Sequence, residues 1–189
     1  MASIQQSFMS PIGIACWPYL NAPDTKFASH GDPGSYKVDL KIPAAEAEDF
    51  LSSIEDFRDA NLDGRKAKLP WKAELDENNK ETGNILIRFA QKEFIKTSRG
   101  NMPMKILLID GAKQVMTEVI GPGSTIRVKC NARIWTVKGE TGLTLHPVVV
   151  QCTDLKESMS ASSDGFDEVE GSFSSAGGGG VMPEATPGT

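Results

Sequence analysis

The stretch Ser124-Thr-Ile-Arg-Val-Lys-Cys-Asn-Ala-Arg-Ile-Trp-Thr-Val137 decides how this chain is read. A strand turns successive side chains to opposite faces, so a period of two sorts it into two sets. Ile126, Val128, Cys130, Ala132 and Ile134 form one face, suited to a core. Arg127, Lys129, Asn131, Arg133 and Trp135 form the other. That second face is a ladder of cations ending in a flat ring. Cations neutralise phosphates, and a ring gives an unpaired base something to stack on. A solvated strand face, with Trp135 folded onto a neighbouring hairpin, has the same pattern. The rest of the chain decides between the two.

Around this strand the punctuation is clear. Gly121-Pro-Gly123 before it reads as a turn, since it lacks the phosphate-loop spacing and leads into a strand rather than a helix. Gly139-Glu-Thr-Gly142 after it turns the chain into a strand from Leu143 to Leu155, where Pro147 marks an edge or a bulge. Upstream, Gly31-Asp-Pro-Gly34 is turn chemistry. Tyr36, Val38, Leu40 and Ile42 then alternate with Lys37, Asp39 and Lys41. After Pro43 the period lengthens. Ala47, Phe50, Leu51, Ile54 and Phe57 fall at helical spacing, predicting an amphipathic helix over Ala44 to Asn61 that ends at Asp63-Gly64. Glu46, Glu48 and Asp49 near its start offset the helix dipole and need no metal to explain them. Asn84 to Phe94 and Met104 to Ile109 read as strands. Arg65 to Gly83 lacks a period and reads as loop, with Trp71 as an anchor. Strands, one helix, then more strands predict a mainly β fold, a small antiparallel barrel or sandwich.

Composition narrows the class. The chain has 189 residues, 39% hydrophobic and 24% charged, which suits a soluble globular domain. No apolar run approaches the roughly 20 residues of a membrane helix, and Met1 to Ala15 holds no Lys or Arg for a secretory signal. Cys16, Cys130 and Cys152 are far apart, without metal-binding spacing, and their odd number fits a reducing cytosol. Cys130 reads as a small buried hydrophobe. His30 and His146 have no neighbours arranged for a triad, and nothing requires catalysis. No cofactor and no metal are expected.

The net charge of −5 conceals an asymmetry. Asn84 to Leu155 holds ten cations and five acids, whereas Lys156 to Thr189 holds one cation and six acids. From Lys156 the composition is Ser, Gly and acids, which predicts a domain over 1–155 followed by a disordered acidic tail over 156–189. Within the tail, Phe166, Asp167, Glu168, Glu170 and Phe173 combine acids with two aromatic rings, as a docking segment would.

Two segments carry a family resemblance. Pro33-Gly-Ser-Tyr-Lys-Val-Asp-Leu-Lys-Ile-Pro43 resembles the N-terminal segment of the single-stranded-DNA-binding proteins of short-tailed (podovirus) bacteriophages. Val119-Ile-Gly-Pro-Gly-Ser-Thr-Ile-Arg-Val-Lys129 resembles their second signature. Ala22-Pro-Asp24 and Ile106 to Asp110 fall in the right order, and the similarity spans about Met9 to Leu155. The resemblance implies an OB-fold-like antiparallel β-barrel with a helix beside it. It implies a non-enzymatic protein that coats and protects single strands and promotes annealing in phage replication, recombination and repair. A homodimer is implied, as are contacts of the acidic tail with the phage DNA polymerase and primase-helicase, in the host cell cytoplasm. The family's basic pair corresponds to Arg127 and Lys129, its downstream aromatic to Trp135, and an earlier basic position to Arg88. The chain departs from the family in having Gln5 and Gln6 where lysines occur, and in a sparser acidic tail ending in Pro187-Gly-Thr189.

Together these readings predict an OB barrel that binds single-stranded DNA without strong sequence preference. Arg127, Lys129, Arg133 and Arg88 are expected on phosphates, with Lys92 and Lys37 as weaker contacts and Trp135 stacking on a base. Trp17 and Tyr19, beside Pro18, are read either as further stacking rings or as packing at a barrel end. Two other classes stand beside this one: a protein-interaction barrel in a phage replication complex, and a metal-dependent enzyme acting on DNA ends. The latter would need converging acids, in which these strand faces are poor.

Overall fold

Val38, Leu40 and Ile42 are completely buried, and so are Ile126, Val128, Cys130 and Ala132. The two clean alternations of the sequence thus supply opposite walls of one core. A computed structural model describes residues 4–157 of the chain. The docking segment with Phe166, Asp167, Glu168, Glu170 and Phe173 lies outside the described residues.

The described residues form β1 (Gln5–Met9), β2 (Gly13–Asp24), β3 (Ser35–Pro43), α1 (Ala44–Leu62), β4 (Trp71–Leu75), β5 (Glu81–Lys92), β6 (Phe94–Thr97), β7 (Gly100–Pro103), β8 (Leu107–Ile109), β9 (Thr125–Val137) and β10 (Glu140–Asp154). Five strands close a ring in the order β9-β2-β3-β5-β10 and back to β9. The neighbours are antiparallel except β5 and β10, which run parallel and meet at Phe89 and Leu145. A closed five-stranded barrel of this kind is the OB-fold, as expected. Closure removes most of the edges that an open sheet would expose. β1 extends the sheet beyond β9, β4 pairs with β5, and β8 runs parallel to β10. The hairpin β6–β7 forms a small sheet of its own.

The helix plugs the barrel. Ala47, Phe50, Ile54 and Phe57 are buried. Phe50 packs on Phe89 with ring centroids 6.5 Å apart, and Phe57 meets Phe8 edge-on at 5.9 Å. Pro43 pre-sets the entry. Asp63 and Gly64, at φ 46° and 76°, end the helix in the left-handed region.

Several expectations needed correction. Arg65 to Gly83 is loop over little more than half of its length, and it holds a strand that the sequence did not show. Trp71 to Leu75 forms β4, and the hairpin to β5 is closed by Asp76, whose Oδ1 accepts from the amides of Asn78 and Lys80 at 2.8 and 2.9 Å. Trp71 does anchor there, packed against the core. The Asn84–Phe94 strand begins and ends earlier, at Glu81 and Lys92, and Phe94 opens β6. Only Leu107–Ile109 of the Met104–Ile109 segment is strand. Pro147 sits at a bulge, where the β9–β10 register shifts.

The Gly121–Ser124 turn is clamped to β2. Gly123, at φ 86°, donates its amide to the Ala15 carbonyl at 2.9 Å, and Ala15 donates to Ser124 at 2.8 Å. The chain returns to this turn after β10, with the Lys156 amide on Ser124 Oγ at 2.9 Å and Glu157 bridged to Ile120. These bonds hold Lys156 and Glu157 to the barrel.

Candidate nucleic-acid interface

β9 lies between β1 and β10, so each outward residue has a neighbour on both sides. Arg133 stands between Gln5 and Thr144, Asn131 between Ser7 and His146, and Lys129 between Met9 and Val149. Along β9 and β10 this outward face opens into a cleft of about 520 Å³. Arg133, Asn131 and His146 line one side. Lys92, at the end of β5, and Lys105, after the β6–β7 hairpin, line the other, with apolar surface from Ile95, Met104 and Val148. Lys92, Lys105, Lys129 and Arg133 form no ion pair among the described residues.

His146 adds a neutral polar group. Burial above all, with Arg133 beside it, holds its pKa below the ordinary 6.5, against a smaller upward pull from the Ala90 backbone. Its Nδ1 is buried without a hydrogen-bond partner among the described residues.

Two residues beyond Arg133 on the same face is Trp135. It does fold onto the neighbouring strand. Its six-membered ring lies over Gly142, where a Cβ would come within 2.3 Å of Cζ2, and its Nε1–H donates to Thr144 Oγ1 at 3.0 Å. The indole is part-buried, held flat on backbone rather than swallowed by the core. The segment before β4 adds Lys68, held beside Gly142 by its amide on the Thr141 carbonyl and its carbonyl on the Leu143 amide, both at 3.0 Å.

The other expected cations lie elsewhere. Arg127 donates through Nε to the Ser10 carbonyl at 2.9 Å and lines a recess with Glu46 and Asp49 of α1. Arg88 grips Asp39 with two hydrogen bonds of 2.7 and 2.8 Å. Asp39 lies on the strand face opposite Val38 and Leu40, yet its side chain is only 7% exposed, because the guanidinium covers it. Lys37 pairs with Asp24 and sits 5.2 Å from the centre of the Tyr19 ring. The cleft thus gathers Arg133 and Lys92 with Trp135 adjoining, and leaves Arg127, Arg88 and Lys37 engaged by the chain's own carbonyls and carboxylates. Lys105 and Lys68 were missed. Neither lies in an alternating segment, and only the fold brings them to this face.

Cys130, fully buried on β9, has its thiol pushed up to about 12 by desolvation. Among the described residues no group of His, Cys, Asp and Glu is placed to hold a metal ion. None of their helices is long and apolar enough to cross a membrane.

An OB barrel with a basic, aromatic-edged face is a scaffold on which oligonucleotides and oligosaccharides are bound. No family model and no curated protein matches the sequence. Solved structures do match. The structure is similar to that of gp2.5, a single-stranded DNA binding protein encoded by bacteriophage T7. The TM-score is 0.60 at 19% identity, over 87% of this chain and 98% of that one. It is also similar to the single-stranded DNA-binding protein from bacteriophage Enc34 in complex with single-stranded DNA. There the TM-score is 0.62 at 13% identity, over 81% and 89% of the two chains. The fold is that of phage single-stranded-DNA-binding proteins.

Proposed function

We propose that this chain binds single-stranded DNA, with little sequence preference, in the cleft and along the outward face of β9 and β10. The observation that carries this is the meeting of Lys92, Lys105 and Arg133 in one cleft, free of ion pairs among the described residues and adjoining the Trp135 ring. The likeness in fold to the T7 and Enc34 proteins supports it. Lysine and arginine take phosphates and release their counterions, and Trp135 stacks on a base. Lys129 extends the track. Asn131 and the neutral His146 offer hydrogen bonds to base edges. Arg127, Arg88 and Lys37 contribute less, because each is already engaged within the chain.

The wider role we propose is that of coating and protecting single strands in phage replication, recombination and repair in the host cell cytoplasm, with annealing activity and a homodimeric state. The chain acts as a binding protein, not an enzyme. Phe166, Asp167, Glu168, Glu170 and Phe173 would dock on the phage DNA polymerase and primase-helicase, and their acids would compete with DNA for the cleft.

Fluorescence anisotropy of a labelled oligo(dT), competed with unlabelled single strands and with duplex, tests the binding reading. Single strands of any sequence should displace the label and duplex should do so weakly. No binding, or equal competition by duplex, would reject it. Truncation after Glu157, which keeps the Lys156–Ser124 bonds, should tighten binding modestly at low salt.

A further inference from the structure

One feature of the barrel lies outside this cleft. β2 slips register against β3 by one residue: Cys16 pairs with Asp39, but Tyr19 pairs with Lys37. The extra residue falls in Cys16-Trp17-Pro18-Tyr19. Trp17 takes it up at φ 47°, in the left-handed region that a bulky side chain rarely adopts and that a following proline further disfavours. Pro18 cannot donate to the ladder, so the irregularity is built into the sequence.

The strain purchases no packing. Trp17 is 64% exposed and Tyr19 41%, so the barrel-end packing expected as one option is not what these rings do. Among the described residues Trp17 forms no aromatic pair, no cation–π contact and no side-chain hydrogen bond. Around it the charges are already balanced, with Lys37 on Asp24 and over the Tyr19 ring, and Arg88 on Asp39 one rung along. Strained backbone maintained without an internal return is a mark of a binding site.

We infer that Trp17, with Tyr19 beside it, is a second base-stacking station for the same single strand. This rests on the reading proposed above. The two stations are joined by adjacent rungs. Trp135 covers Gly142, Lys68 lies beside Gly142, the Pro70 carbonyl accepts the Arg88 amide at 2.7 Å, Arg88 faces Asp39, and Asp39 pairs with Cys16. Four such inter-strand steps cover about 20 Å, within reach of the roughly 4–16 nucleotides that one OB barrel accommodates. A single strand is the occupant that fits: exposed rings flanked by cations suit bases on a phosphate backbone. Because those cations keep their acidic partners, this station adds stacking and little counterion release.

Trp17→Gly tests it, since glycine takes the left-handed backbone freely and removes only the ring. With an oligo(dT) of about 16 nucleotides, affinity should fall roughly 5- to 150-fold, one base's worth of stacking, with the salt slope unchanged. In Trp71→Phe/Trp135→Phe, which leaves Trp17 as the sole tryptophan, emission should quench on adding the same oligonucleotide. Affinity within twofold of wild type and an unmoved Trp17 emission, while wild type still binds by anisotropy, would overturn the station and leave the cleft standing. A change of sedimentation in Trp17→Gly without loss of affinity would assign the rings to a protein contact and equally overturn it. Absence of binding by wild type would instead reject the underlying function.

Discussion

Replacing Trp135 separates stacking from packing, because the structure sets the size of each. The indole lies on Gly142 and is held by one hydrogen bond to Thr144 Oγ1. Truncating a fully buried aromatic costs about 3–5 kcal/mol, and Trp135 is only part-buried. Trp135→Ala should therefore destabilise by about 2 kcal/mol, or roughly 4–8 °C in Tm for a domain of this size. Loss of one base stack should weaken single-strand binding by about 1–3 kcal/mol. Trp135→Phe keeps a ring over Gly142 and loses the Thr144 bond, so its affinity should fall only a few-fold. Gly142→Ala is the converse probe. Its Cβ would lie 2.3, 2.6 and 3.0 Å from Cζ2, Cε2 and Cη2 of Trp135. The ring must retreat to regain a carbon contact of about 3.5 Å, and overpacking of this kind costs about 1–3 kcal/mol. Anisotropy titration and calorimetry on the same samples give both quantities. Unchanged affinity in Trp135→Ala, with the expected fall in Tm, would make Trp135 a packing residue and refute its stacking role.

Three further outcomes follow from the geometry. His146 is held below its ordinary 6.5 chiefly by burial, so as pH falls the unfolded chain takes up a proton that the folded chain refuses. The stability it confers is full above 6.5 and is lost as pH drops from there through the folded value. His146→Gln should flatten that part of a series of urea melts. Arg88→Ala leaves Asp39 buried without its two hydrogen bonds. Because Arg88 is itself 61% exposed, the cost should lie near 1–3 kcal/mol, below the loss for a fully buried pair, and a paired Asp39→Ala should recover much of it by denaturant melts. Cys130, with its thiol at about 12, should resist a thiol reagent in the folded protein, while the partly exposed Cys16 reacts first.

Legibility followed periodicity. β3, α1 and β9 declared themselves because their inward residues keep one period from end to end, whereas β10 was legible despite the Pro147 bulge, which moves its inward set from Leu143 and Leu145 to Val150 and Cys152. β2 hid because its bulge changes parity: Gly13 and Ala15 face inward before it, and Leu20 after it. No single template fits both halves. β1 and β4 span five residues each, too few for alternation to stand out beside their charged and polar neighbours. At the site, Arg133, Lys92 and Trp135 were read from strand faces, and the fold brings them to one region. Arg88 was read as an open cation because Asp39 is 49 positions away and only strand pairing joins them. Lys37 has the same history with Asp24. Lys105 fell inside the strand expected over Met104 to Ile109, an apolar run with no alternation to give it a face, and the structure leaves it between β7 and β8.

The proposed interface requires that the cations of the β9–β10 face, and not those engaged by the chain's own carbonyls and acids, take the phosphates. The slope of log affinity against log salt on oligo(dT) measures this directly. Lys129→Ala/Arg133→Ala should lower that slope by about 1.4, two phosphates at about 0.7 each on single strands. Arg88→Ala and Arg127→Ala should leave it nearly unchanged. An unaltered slope in the Lys129/Arg133 double variant, or a full phosphate's loss in Arg88→Ala, would place the DNA backbone elsewhere on the barrel.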